Sequence, residues 1–91
     1  IPPNGIYACW AHLGAQKFMA ATNIGLNPTF TPERQIPSLE AYLLDFDRDI
    51  YGETMQLEFV TRLRDEIRYK SVDALIKQIH DDVDQTRKIL S

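Results

Sequence analysis

The sequence predicts a mainly β domain finished by one long helix, and three observations predict it. Runs rich in β-forming residues alternate apolar and polar side chains with a period of two as far as about residue 63. Clusters of Gly, Pro, Asn and Asp separate these runs. Beyond residue 71 the apolar period lengthens to three and four, the mark of an amphipathic helix. The 91 residues have room for one domain with one modest core. Antiparallel strands followed by a single helix imply that the helix covers the sheet or one end of a small barrel.

The elements follow in chain order. Gly5 to Leu13 is rich in β-formers, Gly14-Ala15 punctuates it, and Gln16 to Ile24 resumes the extended pattern, so the two form a hairpin. Asn23 to Phe30 mixes turn formers with apolar residues, and Thr31 to Pro37 adds Pro32 and Pro37; a structured loop and then a flexible one are expected. A third strand, Ser38 to Leu44, sets Leu39, Ala41 and Leu43 on one face and Glu40 and Tyr42 on the other. After the acidic stretch Asp45-Phe46-Asp47-Arg48-Asp49, Tyr51-Gly52 turns the chain into a fourth strand. That strand, Thr54 to Leu63, carries Met55, Leu57, Phe59 and Thr61 on one face. Ser71 is placed to cap a helix to about residue 90, with Asp73 in its first turn and an apolar stripe of Val72, Leu75, Ile76, Ile79, Val83, Thr86 and Leu90. Four strands leave open edges, and the chain starts Ile1-Pro2-Pro3 without Met, so upstream strands are expected.

Composition removes several function classes. Hydrophobic residues at 44% and charged residues at 25% are those of a folded domain rather than a disordered chain. A net charge of -3 offers no basic field for nucleic-acid phosphates. Cys9 is the single cysteine, which excludes an intrachain disulfide and a thiolate metal cluster and fits a reducing cytoplasm. No apolar run approaches the roughly 20 residues of a membrane span, so a soluble protein is expected.

None of the short phosphate-loop, dinucleotide, HExxH or paired-cysteine motifs is present. His12 and His80, far apart in sequence on a strand and a helix, receive no catalytic role. Asp45, Asp47 and Asp49 alternate like a calcium loop, but the glycine and closing glutamate of such a loop are missing, so a solvated turn is the reading. The charges from Asp81 to Lys88 read as an exposed helix face, with Asp84 and Lys88 at pairing distance. Glu40 stands apart, just before a tyrosine-bearing strand end and between two turn-rich loops, where a β scaffold usually presents a site.

Several separated motifs, taken in order, carry more information than any one of them. Asn4-Gly5-Ile6-Tyr7-Ala8, Ala21-Thr22-Asn23-Ile24-Gly25 with Pro28-Thr29-Phe30, Leu39-Glu40-Ala41, Leu43-Leu44-Asp45-Phe46 with Asp49-Ile50-Tyr51-Gly52, and Leu63-Arg64-Asp65-Glu66 together resemble the riboflavin kinases, in order and in spacing. The similarity covers essentially the whole chain and is closest to the bacterial branch, where the module usually follows a flavin adenylyltransferase domain in one bifunctional enzyme. The resemblance implies a small closed antiparallel β-barrel of six strands with the C-terminal helix beside it, of which residues 1–91 would be the C-terminal part. It implies transfer of the ATP γ-phosphate to the riboflavin 5′-hydroxyl, giving ADP and FMN. The glutamate matching Glu40 is then the base. Tyr42, Leu43, Asp45 and Tyr51 border the nucleotide, with Tyr42 where relatives often carry histidine. Arg64, Glu66 and Tyr69 fall on the flap over the flavin. Asn23, Pro28 and Phe30 shape the barrel end rather than touch substrate.

One departure from the family pattern stands out. The family's Pro-Thr-Ala-Asn motif, whose threonine and asparagine bind Mg2+ and phosphate, has no match here, because Asn27-Pro28-Thr29 is a different triplet. The resemblance therefore implies Mg2+ ligands upstream, no metal site in this segment, and little or no kinase activity from this chain alone. The competing reading is a non-catalytic flavin-binding or protein-interaction barrel. Partners on the first reading are riboflavin, ATP and a covalently linked adenylyltransferase domain, with neither nucleic acid nor membrane.

Overall fold

A computed structural model of the chain describes residues 2–28, 35–67 and 69–91. Four strands, β1 (Gly5–Leu13), β2 (Gln16–Pro28), β3 (Gln35–Leu43) and β4 (Gln56–Arg64), precede the helix α1 (Val72–Leu90). They form one antiparallel sheet in the order β3-β2-β1-β4. Among the described residues the sheet is open, with β3 and β4 at its edges, so the closed barrel that the motifs imply is not completed by these strands.

The β1–β2 hairpin turns at Gly14, whose φ of 60° is the left-handed conformation a glycine adopts without strain. The loop expected over Asn23 to Pro37 is largely strand instead. Asn27 pairs with Ile36 and Pro28 with Gln35, so β2 runs on to Pro28 and β3 begins at Gln35. Ladder pairing overrides local turn propensity, and the prolines fit because β1 pairs with β2 only as far as Ile24 and β3 is an edge strand. Residues 29–34, and with them Phe30, lie outside the described residues.

Registers fix two faces. Tyr7, Cys9, Ala11, Ala20 and Ile24 cluster on one, with Leu43, Met55, Leu57 and Phe59 packed against them and Tyr7 edge-on to Phe59 at 5.3 Å. Thr61 does not join this face: it pairs with Ala8, not Tyr7, because the register shifts between Ala8 and Cys9; a second shift lies between Ile6 and Tyr7. A bulge residue at each shift advances β4 by one position and reverses the alternation.

The helix lies on the opposite face, against β1, β2 and β4. Ser71 caps it, its Oγ accepting from the Ala74 N–H at 3.1 Å, while Asp73 opens and Arg87 and Lys88 close it in accord with the helix dipole. The buried residues of α1 are Asp82 and Thr86, whereas Val72, Leu75, Ile76 and Ile79 stay 38–70% exposed. The apolar stripe thus only partly seats, and Asp82, assigned from sequence to the solvated face, turns inward. It lies three residues after Ile79 and four before Thr86, within the stripe itself. Two forked ion pairs anchor the helix. Arg64 Nε and Nη2 donate to Asp82 at 2.9 and 2.7 Å, and Arg87 Nη1 and Nη2 donate to Asp45 at 2.6 and 2.9 Å. Among the described residues no helix is long and apolar enough to cross a membrane.

Candidate active site

The face under α1 carries a line of side chains that the registers put side by side. Glu40 on β3 pairs with Asn23 on β2, Asn23 with Ile6 on β1, and Ile6 with Arg64 on β4. One row therefore crosses all four strands from a carboxylate to a guanidinium, three inter-strand spacings or roughly 14 Å across the sheet. The row forms the floor of a cavity of about 620 Å3, with Leu75, Ile79 and Asp82 of α1 opposite and Glu66, Ile67 and Tyr69 closing one side. That volume lies within the roughly 300–1,000 Å3 of small-molecule pockets, and the mixture of apolar walls with a few polar groups is typical of them.

Each polar group is held differently. Glu40 is exposed, lines the cavity and accepts a hydrogen bond from Ser38 Oγ at 3.3 Å. Arg64 is fixed by Asp82 and by donation from Nη1 to the Asp65 carbonyl at 2.9 Å, and Gln78 Nε2 donates to Asp82 at 3.1 Å. Asp82, first through its hydrogen bonds, pushes the Arg64 pKa above its usual range, and the Tyr69 phenol beside it adds to the effect. Tyr69 Oη nonetheless makes no well-formed hydrogen bond, and neither does Asn23 Oδ1, although both atoms are buried. Glu66 rests on the backbone of β2: a Cβ at Gly25 would overlap its carboxylate, coming within 2.8 Å of Cδ. The glycine of the Asn-Ile-Gly motif thus makes room for a side chain of the β4–α1 segment.

Five residues singled out from sequence, Glu40, Tyr42, Arg64, Glu66 and Tyr69, converge on this cavity. Three do not line it. Leu43 packs against the core on the other face, Asp45 is engaged by Arg87, and Tyr51 is 95% exposed in the β3–β4 connection, its N–H bonded to Asp49 Oδ1. Asp45 takes a positive φ of 53°, and Arg87 holds its carboxyl below the ordinary range. His12 is bonded to Glu58 at 2.9 Å, outside the cavity, and His80 is exposed on α1. Sequence reasoning gave Asn23 only a shaping role and gave Asp82 none. Their signals were the partner of Glu40 across the ladder and a carboxylate inside an apolar helical stripe.

The model of the riboflavin kinase family, Flavokinase, matches residues 1–90. The chain belongs to the riboflavin kinase family. Among riboflavin kinases of known function, a bifunctional riboflavin kinase/FMN adenylyltransferase of Bacillus subtilis is 33% identical over 92 aligned positions, covering 100% of this chain and 29% of that protein. A bifunctional riboflavin kinase/FMN phosphatase of Arabidopsis thaliana is 37% identical over 90 positions, covering 97% of this chain and 23% of its own length. The chain thus spans less than a third of these two relatives. A crystal structure from Streptococcus pneumoniae, titled a macrolide-efflux protein, superposes with a TM-score of 0.86 at 34% identity over 96% of this chain and 28% of that one.

Proposed function

We propose that this chain is the base-bearing, flavin-binding part of a riboflavin kinase that phosphorylates the riboflavin 5′-hydroxyl with ATP. The observation that carries the reading is the meeting of Glu40 with Tyr42, Arg64, Glu66 and Tyr69 around one cavity in a chain of this family. Glu40 accepts the 5′-hydroxyl proton as that oxygen attacks; the new bond joins O5′ to the γ-phosphorus, and the bond from phosphorus to the β,γ-bridging oxygen breaks, leaving its electron pair on ADP. The flavin ring takes the end of the cavity under Ile67, Leu75 and Ile79, where apolar walls suit a flat heterocycle and Arg64, Glu66 and Tyr69 supply its polar contacts. Tyr42, one row from Glu40, borders the nucleotide, whose outer rim is the β3–β4 turn with Leu43, Asp45 and Tyr51.

Among the described residues no three His, Cys, Asp or Glu side chains gather to hold a metal ion. The family implies Mg2+ beside the ATP phosphates. Its ligands and the phosphate contacts are assigned to polypeptide beyond this chain, which makes the chain alone inactive. A covalently linked FMN adenylyltransferase, as named for several bacterial relatives, and a reducing cytoplasm complete the proposal.

Riboflavin fluorescence titrations with and without MgADP, followed by an assay for FMN, test it. The parent polypeptide binds riboflavin and forms FMN, and the chain alone forms none. Glu40→Gln in the parent keeps riboflavin affinity and loses about 100-fold or more in turnover, the scale of a lost general base. Unchanged turnover removes Glu40 from this role.

A further inference from the structure

The cavity floor contains a polar group that neither the assigned base nor the flap accounts for. Asn23 sits between Glu40 and Ile6 in the transverse row, and its Oδ1 is buried with no hydrogen-bond partner. Directly opposed residues on one face of an antiparallel pair have Cβ atoms roughly 5 Å apart, so the carboxamide stands beside the Glu40 carboxylate. A buried acceptor without a partner costs about 1–3 kcal/mol, and an orphan of this kind in a cavity wall marks a place where a ligand donor belongs. The sheet offers it none: Ile6 and Ala21, its cavity neighbours on β1 and β2, are apolar.

We infer that Asn23 binds a hydroxyl of the polyol chain next to the reacting one, and so makes the site select flavins carrying a hydroxylated side chain. The inference rests on the riboflavin kinase reading and deepens it. If Glu40 takes the terminal hydroxyl and the ring lies toward Ile67, Leu75 and Ile79, the chain joining them passes along the row over Asn23. A hydroxyl there donates to Oδ1 while the terminal hydroxyl donates to Glu40, and neighbouring carbons of a polyol carry donors at that spacing. A side chain without those hydroxyls leaves Oδ1 unpartnered in the complex, and sites built to bond a substrate hydroxyl discriminate strongly against its absence.

The test compares kcat/KM in the parent polypeptide for riboflavin and for the flavin bearing a 10-(5-hydroxypentyl) chain, which keeps the reacting hydroxyl and lacks the other three. Wild type favours riboflavin by about tenfold or more, the scale of one stranded buried acceptor. Asn23→Ala lowers kcat/KM for riboflavin and leaves the analogue nearly unchanged, so the preference shrinks by about that factor. Asn23→Asp, of the same shape and still an acceptor, retains the preference. The ratio is taken within one preparation, so a partly folded variant does not distort it, and Asn23→Ser serves in the same comparison if Asn23→Ala does not fold. Equal losses on both flavins overturn the role of Asn23; phosphorylation of neither flavin by wild type overturns the riboflavin kinase reading instead.

Discussion

Replacing Asp82 by alanine tests how the helix wall of the cavity is held. The substitution removes both bonds to Arg64 and the one from Gln78, and strands a guanidinium whose side chain is only 21% exposed against a carboxylate 10% exposed. Breaking a fully buried pair costs about 3–5 kcal/mol; Arg64 keeps a path to water, which brings the expected loss to about 2–3 kcal/mol. A domain of this size has about 5–13 kcal/mol in all. With a urea slope of roughly 1 kcal/mol per M, the midpoint falls by about 2–3 M. The pair between Arg87 and Asp45 is the internal control: it has the same forked geometry, but side chains 45% and 74% exposed. Asp45→Ala shifts the midpoint far less, because water screens the pair and rehydrates either partner. Urea unfolding of the parent and both variants decides, and a drop for Asp82→Ala no larger than for Asp45→Ala refutes the claim that burial sets the value of the Arg64–Asp82 tie.

Further outcomes follow from the same geometry. Gly25→Ala pushes the Glu66 carboxylate off β2 and weakens riboflavin binding, while Gly25→Ala with Glu66→Ala recovers stability lost to the overlap; fluorescence titration and thermal melts of the three variants check this. Cys9 is fully buried, and burial pushes its thiol pKa up, offset in part by the Thr22 hydroxyl, so a thiol reagent labels it only at the rate of unfolding. Because the folded pKa is the higher one, the thiol's contribution to stability is complete below the ordinary value of about 8.5 and is lost as pH rises beyond it. The fall in urea midpoint between pH 8 and 10 is therefore steeper for wild type than for Cys9→Ala.

The strand and helix pattern was legible because local signals agree with tertiary structure there. Gly14 turns the first hairpin, Ser71 caps the helix, and the alternation in β3 puts Glu40 and Tyr42 opposite the core. Where non-local pairing decides, local signals misled. The prolines of the β2–β3 region announce a loop, but the ladder extends through Pro28 and Pro37. Thr61 continues an apolar alternation in sequence, but the register shift between Ala8 and Cys9, invisible without β1 as partner, turns it away. Glu40 stands out in the sequence by its place in a family motif, and it lines the cavity. Asn23 and Asp82 do not stand out, because a site residue that works through a cross-strand neighbour or a helix partner 18 residues away has no spacing signature of its own.

On the proposed function, flavin binds between the sheet and α1 with its terminal hydroxyl at Glu40. A crystal structure of the parent polypeptide with riboflavin and MgADP measures this directly. The 5′-oxygen is expected within about 2.6–3.2 Å of a Glu40 carboxylate oxygen, with the ring against Ile67, Leu75 and Ile79. Flavin bound on another surface, or in this cavity with the ring at Glu40 and the hydroxyl end toward Arg64, contradicts it.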